Sequence, residues 1–167
     1  VGAFFRSGAG AQYANMQHEF LPFLADFQAG KVRLGHGYQY FLSQMRPKSR
    51  GWLRLRSADP DTHPEIVFNY LDDPTDAEEM LDGLAQTREM ARQAPWQAMG
   101  GTELTPGPDV RDRAGALAWM RQIGNPEHHP VGTCRMGHDA MAVTDGEGLV
   151  HGLSGLRLVD GAILPLI

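Results

Sequence analysis

The residues best suited to chemistry stand together in His128-His129-Pro130-Val131-Gly132-Thr133-Cys134-Arg135-Met136-Gly137. Imidazole titrates near neutrality, so a histidine held firmly beside a substrate can take or give a proton. Pro130 biases His129 toward an extended backbone. Along an extended stretch neighbouring side chains point to opposite sides, so only one of His128 and His129 can face a given pocket. Gly132 and Gly137 permit tight turns or close backbone approach. The same residues also read as a polar surface loop carrying a histidine pair. Cys134 is the only cysteine. Together with His138 and the pair it suggests a zinc site, but the spacing matches no common finger and only one thiolate is available. A Cys–His nucleophile lacks a nameable activating partner. Cys134 is therefore expected to pack as a small apolar side chain.

Several elements must position this stretch. Asn15 to Phe23 alternates, with Met16, His18 and Phe20 set against Gln17, Glu19 and Leu21, and predicts a strand. Tyr38 to Met45 predicts a second strand, rich in aromatics. Trp52 to Arg56 predicts a third, with Leu53 and Leu55 on one face and Arg54 and Arg56 on the other. The turn at 46–51 suggests that the second and third strands form a hairpin, hence an antiparallel sheet. Ile66-Val67-Phe68 is a further short strand. Asp73 is a natural N-cap, Pro74 suits the first helical position, and Asp76, Glu78 and Glu79 favour the positive end of a helix dipole. Ala77, Met80, Leu81, Leu84 and Ala91 recur at helical spacing, and Pro95 closes the helix. A second helix is expected from Asp112 to about Gln122, with Leu117 and Met120 inward. Leu156 to Val159 reads as a last short strand. Strands, then helices, then a return strand define an α+β fold, an antiparallel sheet of about five or six strands with helices on one side.

The 167 residues suffice for one domain with a real core, and the formal net charge of −5 leaves no basic stripe for nucleic acid. A single cysteine allows no internal disulfide, which fits a reducing, cytoplasmic setting. No apolar run approaches the roughly 20 residues of a membrane helix, so at most a peripheral place on the inner membrane face is expected. The chain opens without Met on Val1-Gly2-Ala3-Phe4-Phe5 and closes on the apolar Ala162 to Ile167, so both ends read as cut from a longer chain.

Several strings together resemble the glucose-methanol-choline (GMC) oxidoreductases, most nearly the choline-oxidising members. They are His129 to Gly137, Val143 to Gly152, and Gly155 to Pro165, preceded in order by Gly2 to Ser7, His18 to Pro22, Met45 to Gly51 and Phe68-Asn69-Tyr70. The resemblance implies the C-terminal substrate domain of an FAD-dependent alcohol dehydrogenase, with residues 1–155 as that domain and 156–167 as the start of a return segment into an FAD-binding domain. It implies that His129 is catalytic, taking the hydroxyl proton of the alcohol or stabilising the developing alkoxide while hydride passes to flavin. It implies that Asp160 and Gly161 lie against the flavin through their backbone; a strand-end cap is the other reading of Asp160.

Two parts of the family pattern are not found in these residues. There is no G-x-G-x-x-G turn to cradle the dinucleotide, so this chain alone is expected to hold no FAD tightly and to be inactive. The second active-site Asn or His, which the family carries just after the Ile-x-Pro run, would fall beyond Ile167. His128 occupies a position usually aromatic in choline enzymes, where ring faces hold a quaternary ammonium. His128 is thus a substrate-binding candidate that leaves choline and other primary alcohols both open. Trp52, Trp96, Trp119, Tyr38 and Tyr40 are candidates for a cage or, more simply, for packing. The expected partners are a small alcohol, an FAD-binding domain and an electron acceptor, either oxygen or a quinone. The alternative outside catalysis is a binding module that kept the fold and lost the chemistry.

Overall fold

The computed structural model describes the backbone of residues 2–28 and 31–167 and the side chains of 2–25 and 34–167. Val1, counted above in the first domain, lies outside them. The described chain forms two compact units, Val1–Met45 with Asp73–Ile123, and Arg46–Asp72 with Gly124–Ile167.

The first unit is built on a three-stranded antiparallel sheet of β1 (Gly2–Phe5), β2 (Met16–Leu21) and β5 (Gln39–Gln44), in the order β1-β2-β5. The alternation in β2 decides which face is covered. Phe5, Met16 and Gln44 stand opposite one another in register, as do Ala3, His18 and Leu42, and Phe20 faces Tyr40. This face meets α1 (Pro74–Ala91). Met16 is fully buried, and a Cβ at Gly83 would lie 2.9 Å from its Cε and 3.2 Å from Leu42. Glycine at that position lets helix and sheet approach closely; burying Met16 contributes about 1.5–3 kcal/mol. Trp96, on α2 (Ala94–Met99), closes an aromatic cluster with Phe20, Tyr38 and Tyr40 at centroid distances of 5.1–5.5 Å. These rings are packed on one another, and burial beside Tyr38 pushes the Tyr40 hydroxyl up to about 12.

Between β2 and β5 the chain makes a second antiparallel pair, β3 (Leu24–Gln28) with β4 (Lys31–Gly35), which the sequence pattern does not announce. A third helix, α3 (Arg113–Ile123), buries Ala116 and Met120, while Leu117 is half-buried. Arg113 ties it to α1 by ion pairs with Glu78 and, at 2.8 Å, Asp82. The start of α1 is as expected. The Asp73 carboxylate accepts from the Thr75 amide at 2.7 Å, with Pro74 in the first turn. Asp73→Ala is expected to destabilise the chain by about 1 kcal/mol, read as a lowered urea midpoint with unchanged slope. Pro95 opens α2, and α1 ends earlier, at the Arg92 C-cap.

In the second unit β6 (Trp52–Arg54) pairs antiparallel with β7 (Glu65–Val67). This corrects the expected hairpin: β5 pairs with β2, and β6 belongs to a different sheet. The reason lies at the turn. A Cβ at Gly51 would stand 2.2 Å from the Val67 carbonyl oxygen, so glycine there lets the chain run directly against the end of β7. The Arg50 guanidinium also donates to the Pro47 and Ser49 carbonyls, which makes 46–51 a self-contained turn. The α+β class and the antiparallel pairing are as read from the sequence. The described strands number seven, however, and are divided among three sheets instead of one. The expected strand at Leu156 to Val159 is reduced to a single bridge, Leu149 with Arg157. No helix among the described residues is long and apolar enough to cross a membrane.

Candidate functional site

The stretch from Pro130 to Gly137 is irregular, so its shape comes from hydrogen bonds to other loops. Thr144, fully buried, is the hub. Its hydroxyl donates to the Cys134 carbonyl at 3.2 Å, and its carbonyl accepts from the Gly137 amide at 2.9 Å. The Val143 amide donates to the Arg135 carbonyl at 3.0 Å, and the His151 Nε2–H donates to the Gly137 carbonyl at 3.0 Å. A carbonyl can only accept, so that bond fixes the His151 proton on Nε2. Arg135 and Asp139 close the outer loop as a forked pair at 2.6 and 2.9 Å. The guanidinium, helped by the Met141 amide, holds the Asp139 carboxyl at about 2.

The loop supporting Thr144 is an Asx-type turn. The Asp145 carboxylate accepts from the Leu149 and Glu147 amides, each at 2.9 Å, and these bonds, that of Leu149 foremost, lower its pKa. Gly148 has φ 79° and lies so close to the returning chain that a Cβ would stand 2.5 Å from the Leu158 carbonyl oxygen. The Leu158 amide donates to the Gly148 carbonyl at 2.9 Å. The return segment is thereby aimed back along Pro130–Gly137.

Two backbone bonds complete the site. The Cys134 amide donates to the Ala162 carbonyl at 3.0 Å, and the Met136 amide to the Ile163 carbonyl at 2.8 Å. A Cβ at Gly161 would lie 3.5 Å from the Pro130 carbonyl oxygen, and one at Gly132, φ 85°, 3.5 Å from that of Leu164. The segment beginning at His129-Pro130 and the segment Asp160-Gly161 are therefore neighbours. Asp160 caps the 3-10 turn Gly161–Ile163, its carboxylate accepting from the Ala162 amide at 2.7 Å. Asp160 and Gly161 are exposed, as are His128 and His129. His128 sits at a bend with φ 61°, in the left-handed region. The premise of one extended run through both histidines therefore fails at His128. Proline restricts only the residue immediately before it, and that residue is His129. Cys134 is half-buried, with its amide and carbonyl both engaged. Among the described residues no three His, Cys, Asp or Glu side chains converge as a metal would require.

Sequence reasoning named His128, His129, Asp160 and Gly161 but gave no role to Thr144, Asp145, Gly148 or His151. A signal for the turn was present: an Asp followed by two glycines within three residues marks a tight turn capped by its own carboxylate. No local signal marks Thr144, whose burial depends on the loops folded round it.

The fold matches that of a known family of oxidoreductases. The chain belongs to the GMC oxidoreductases, matching that family over residues 47–167. It is 42% identical over 167 residues to an oxygen-dependent choline dehydrogenase of Klebsiella pneumoniae subsp. pneumoniae, covering 100% of this chain and 30% of that protein. A protein of the same name from Burkholderia multivorans is 40% identical with the same coverage. Among solved structures, pyridoxine 4-oxidase from Mesorbium loti superposes with a TM-score of 0.80 at 21% identity, over 99% of this chain and 33% of that one. The chain thus spans about 30% of the length of these curated relatives.

Proposed function

We propose that these residues form the substrate-domain portion of an FAD-dependent enzyme that oxidises a primary alcohol, choline or a close analogue, to an aldehyde. The observation that carries the reading is the pair of backbone bonds from Cys134 and Met136 to Ala162 and Ile163. They set the histidine segment beside the Asp160-Gly161 turn. In the family resemblance these two segments serve the alcohol and the flavin. The kinship at 42% with a choline dehydrogenase supports the same substrate class.

The residues present suit one edge of a flavin. Asp160 and Gly161 are exposed, the backbone there is held by the 3-10 turn, and no side chain projects from Gly161. Asp160 and Gly161 would hold it through main-chain contacts, with the Asp160 side chain occupied in capping. Bound FAD supplies the two-electron acceptor for the hydride leaving the alcohol carbon. His129 takes the hydroxyl proton at an imidazole nitrogen, because a carbinol releases hydride readily only as its O–H bond breaks. Thr144 holds the Cys134–Gly137 end of the segment, and Pro130 restricts the His129 backbone, which limits where the base can stand. His128 contacts the remote end of the substrate. An imidazole there is a weaker cation partner than an aromatic ring, which extends the reading to uncharged primary alcohols.

Residues 1–155 supply the substrate side, and 156–167 lead into the FAD-holding part, supplied by chain outside these residues. Purified alone, the 167-residue chain is expected to be colourless, because it has no Gly-rich phosphate cradle. The longer protein that contains it should carry flavin absorption. Stoichiometric flavin on the short chain would overturn the division of labour, and a longer protein without flavin would overturn the function.

A further inference from the structure

His18 is the buried titratable group that the proposed chemistry does not use. It lies in the middle of β2 on the face covered by α1, is 6% exposed, and touches the Phe5 ring at 4.4 Å and the Tyr40 ring at 5.5 Å between centroids. Its Nε2 is 2.7 Å from the Thr87 hydroxyl on α1. The direction of that bond follows from the next one. The Thr87 hydroxyl donates its only proton to the Gly83 carbonyl, at 2.8 Å, so it must accept from His18. The imidazole therefore carries its proton on Nε2, and Nδ1 is the site a second proton would take.

We propose that His18 is an acid-sensitive fastener of the first unit. Neutral, it pins β2 to α1 through Thr87; protonated on Nδ1, it carries a charge into a nearly dry seam and loosens the helix from the sheet. Among the described residues the groups facing the imidazole are uncharged: Phe5 from β1, Tyr40 from β5 and Thr87 from α1. The charged residues of α1 near this seam are engaged elsewhere. Asp76 and Glu79 meet Gln44, Asp82 meets Arg113, and Arg88 meets Glu103. Among the described residues no carboxylate is thus placed to stabilise an imidazolium. The Phe5 and Tyr40 rings offset part of the burial cost by cation–π attraction. Burial dominates, and it lowers the His18 pKa below its ordinary value.

The sign follows by linkage. The folded-state titration lies below that of the unfolded chain. Stability is therefore full above the ordinary histidine range, near 6.5, and falls as pH drops from there to the folded-state pKa. The folding equilibrium constant falls tenfold for each pH unit separating the two titrations. The test has two readings on this chain. In an NMR titration, His18 is expected to protonate below the ordinary histidine value near 6.5. In urea unfolding at pH 7.5 and pH 5, His18→Gln, whose amide can still donate to Thr87, is expected to show a smaller acid-induced loss of midpoint than the parent. If His18→Gln does not fold, the titration decides. An imidazole that protonates at or above that ordinary value overturns the fastener. So does a loss of midpoint undiminished in His18→Gln.

Discussion

His129→Ala in the full-length protein is expected to lower alcohol turnover by about a hundred-fold or more, the usual scale for removing a positioned acid–base group. The hydroxyl proton would then have to leave to water. Alanine tolerates the extended backbone that Pro130 favours, and the bonds of the Cys134 and Met136 amides to 162–163 do not involve the imidazole. FAD should therefore stay bound, and the loss should fall on the chemical step. His128 is the natural control, but alanine is the wrong substitution there. The backbone has φ 61°, which Asn tolerates far better than Ala. His128→Asn is expected to raise KM while changing kcat by only a few-fold. Should His128→Asn abolish turnover while His129→Ala spares it, the base is the neighbouring histidine. Should neither matter, the proton-transfer role is wrong.

Gly148→Ala is expected to destabilise the chain by about 2–5 kcal/mol, through two costs that can be separated. At φ 79° an L side chain costs about 1–2 kcal/mol. A Cβ 2.5 Å from the Leu158 carbonyl oxygen must also push the return segment away, at about 1–3 kcal/mol. Two other glycines isolate these terms. Gly152 has φ 78° but open space around its would-be Cβ, so Gly152→Ala should show the strain alone. Gly146 has open space and no positive φ, so Gly146→Ala should be neutral or slightly stabilising. Urea midpoints should rank Gly146→Ala above Gly152→Ala above Gly148→Ala. In the full-length protein Gly148→Ala should also weaken FAD, because the bond between Gly148 and Leu158 aims the Asp160-Gly161 turn. Equal midpoints for the Gly148 and Gly152 variants would show that this close approach does not constrain the return segment.

What could be read from the sequence follows from which forces are local. Asp73-Pro74 and the spacing of Ala77 and Leu81 announce α1 because capping and amphipathicity act within a turn or two. The alternation of Met16, His18 and Phe20 announces β2 and its covered face for the same reason. Alternation does not name a strand's partner, however. Tyr38 to Met45 reads as a strand, and only the close approach of Gly51 to Val67 shows where the next strand goes. Leu156 to Val159 has strand-like residues, yet its backbone is used in single bonds to Gly148 and Val150 and makes no ladder. His129 and Asp160 were legible as parts of motifs. That the segments following them adjoin was not, since that adjacency rests on main-chain bonds, from Cys134 and Met136 to 162–163, that any residue but proline can donate. The placing of His128 at a bend was also hidden, because a left-handed histidine has no local signature.

The most direct test of the flavin-linked alcohol chemistry is anaerobic mixing of the full-length protein, FAD bound, with a primary alcohol while the flavin absorbance is followed. Choline and an uncharged primary alcohol of similar size should be run side by side, with the His129→Ala protein alongside. The expected result is loss of the oxidised flavin spectrum with at least one alcohol, about a hundred-fold slower in His129→Ala. A bound flavin that stays oxidised with every alcohol, or that bleaches equally fast without His129, would contradict it.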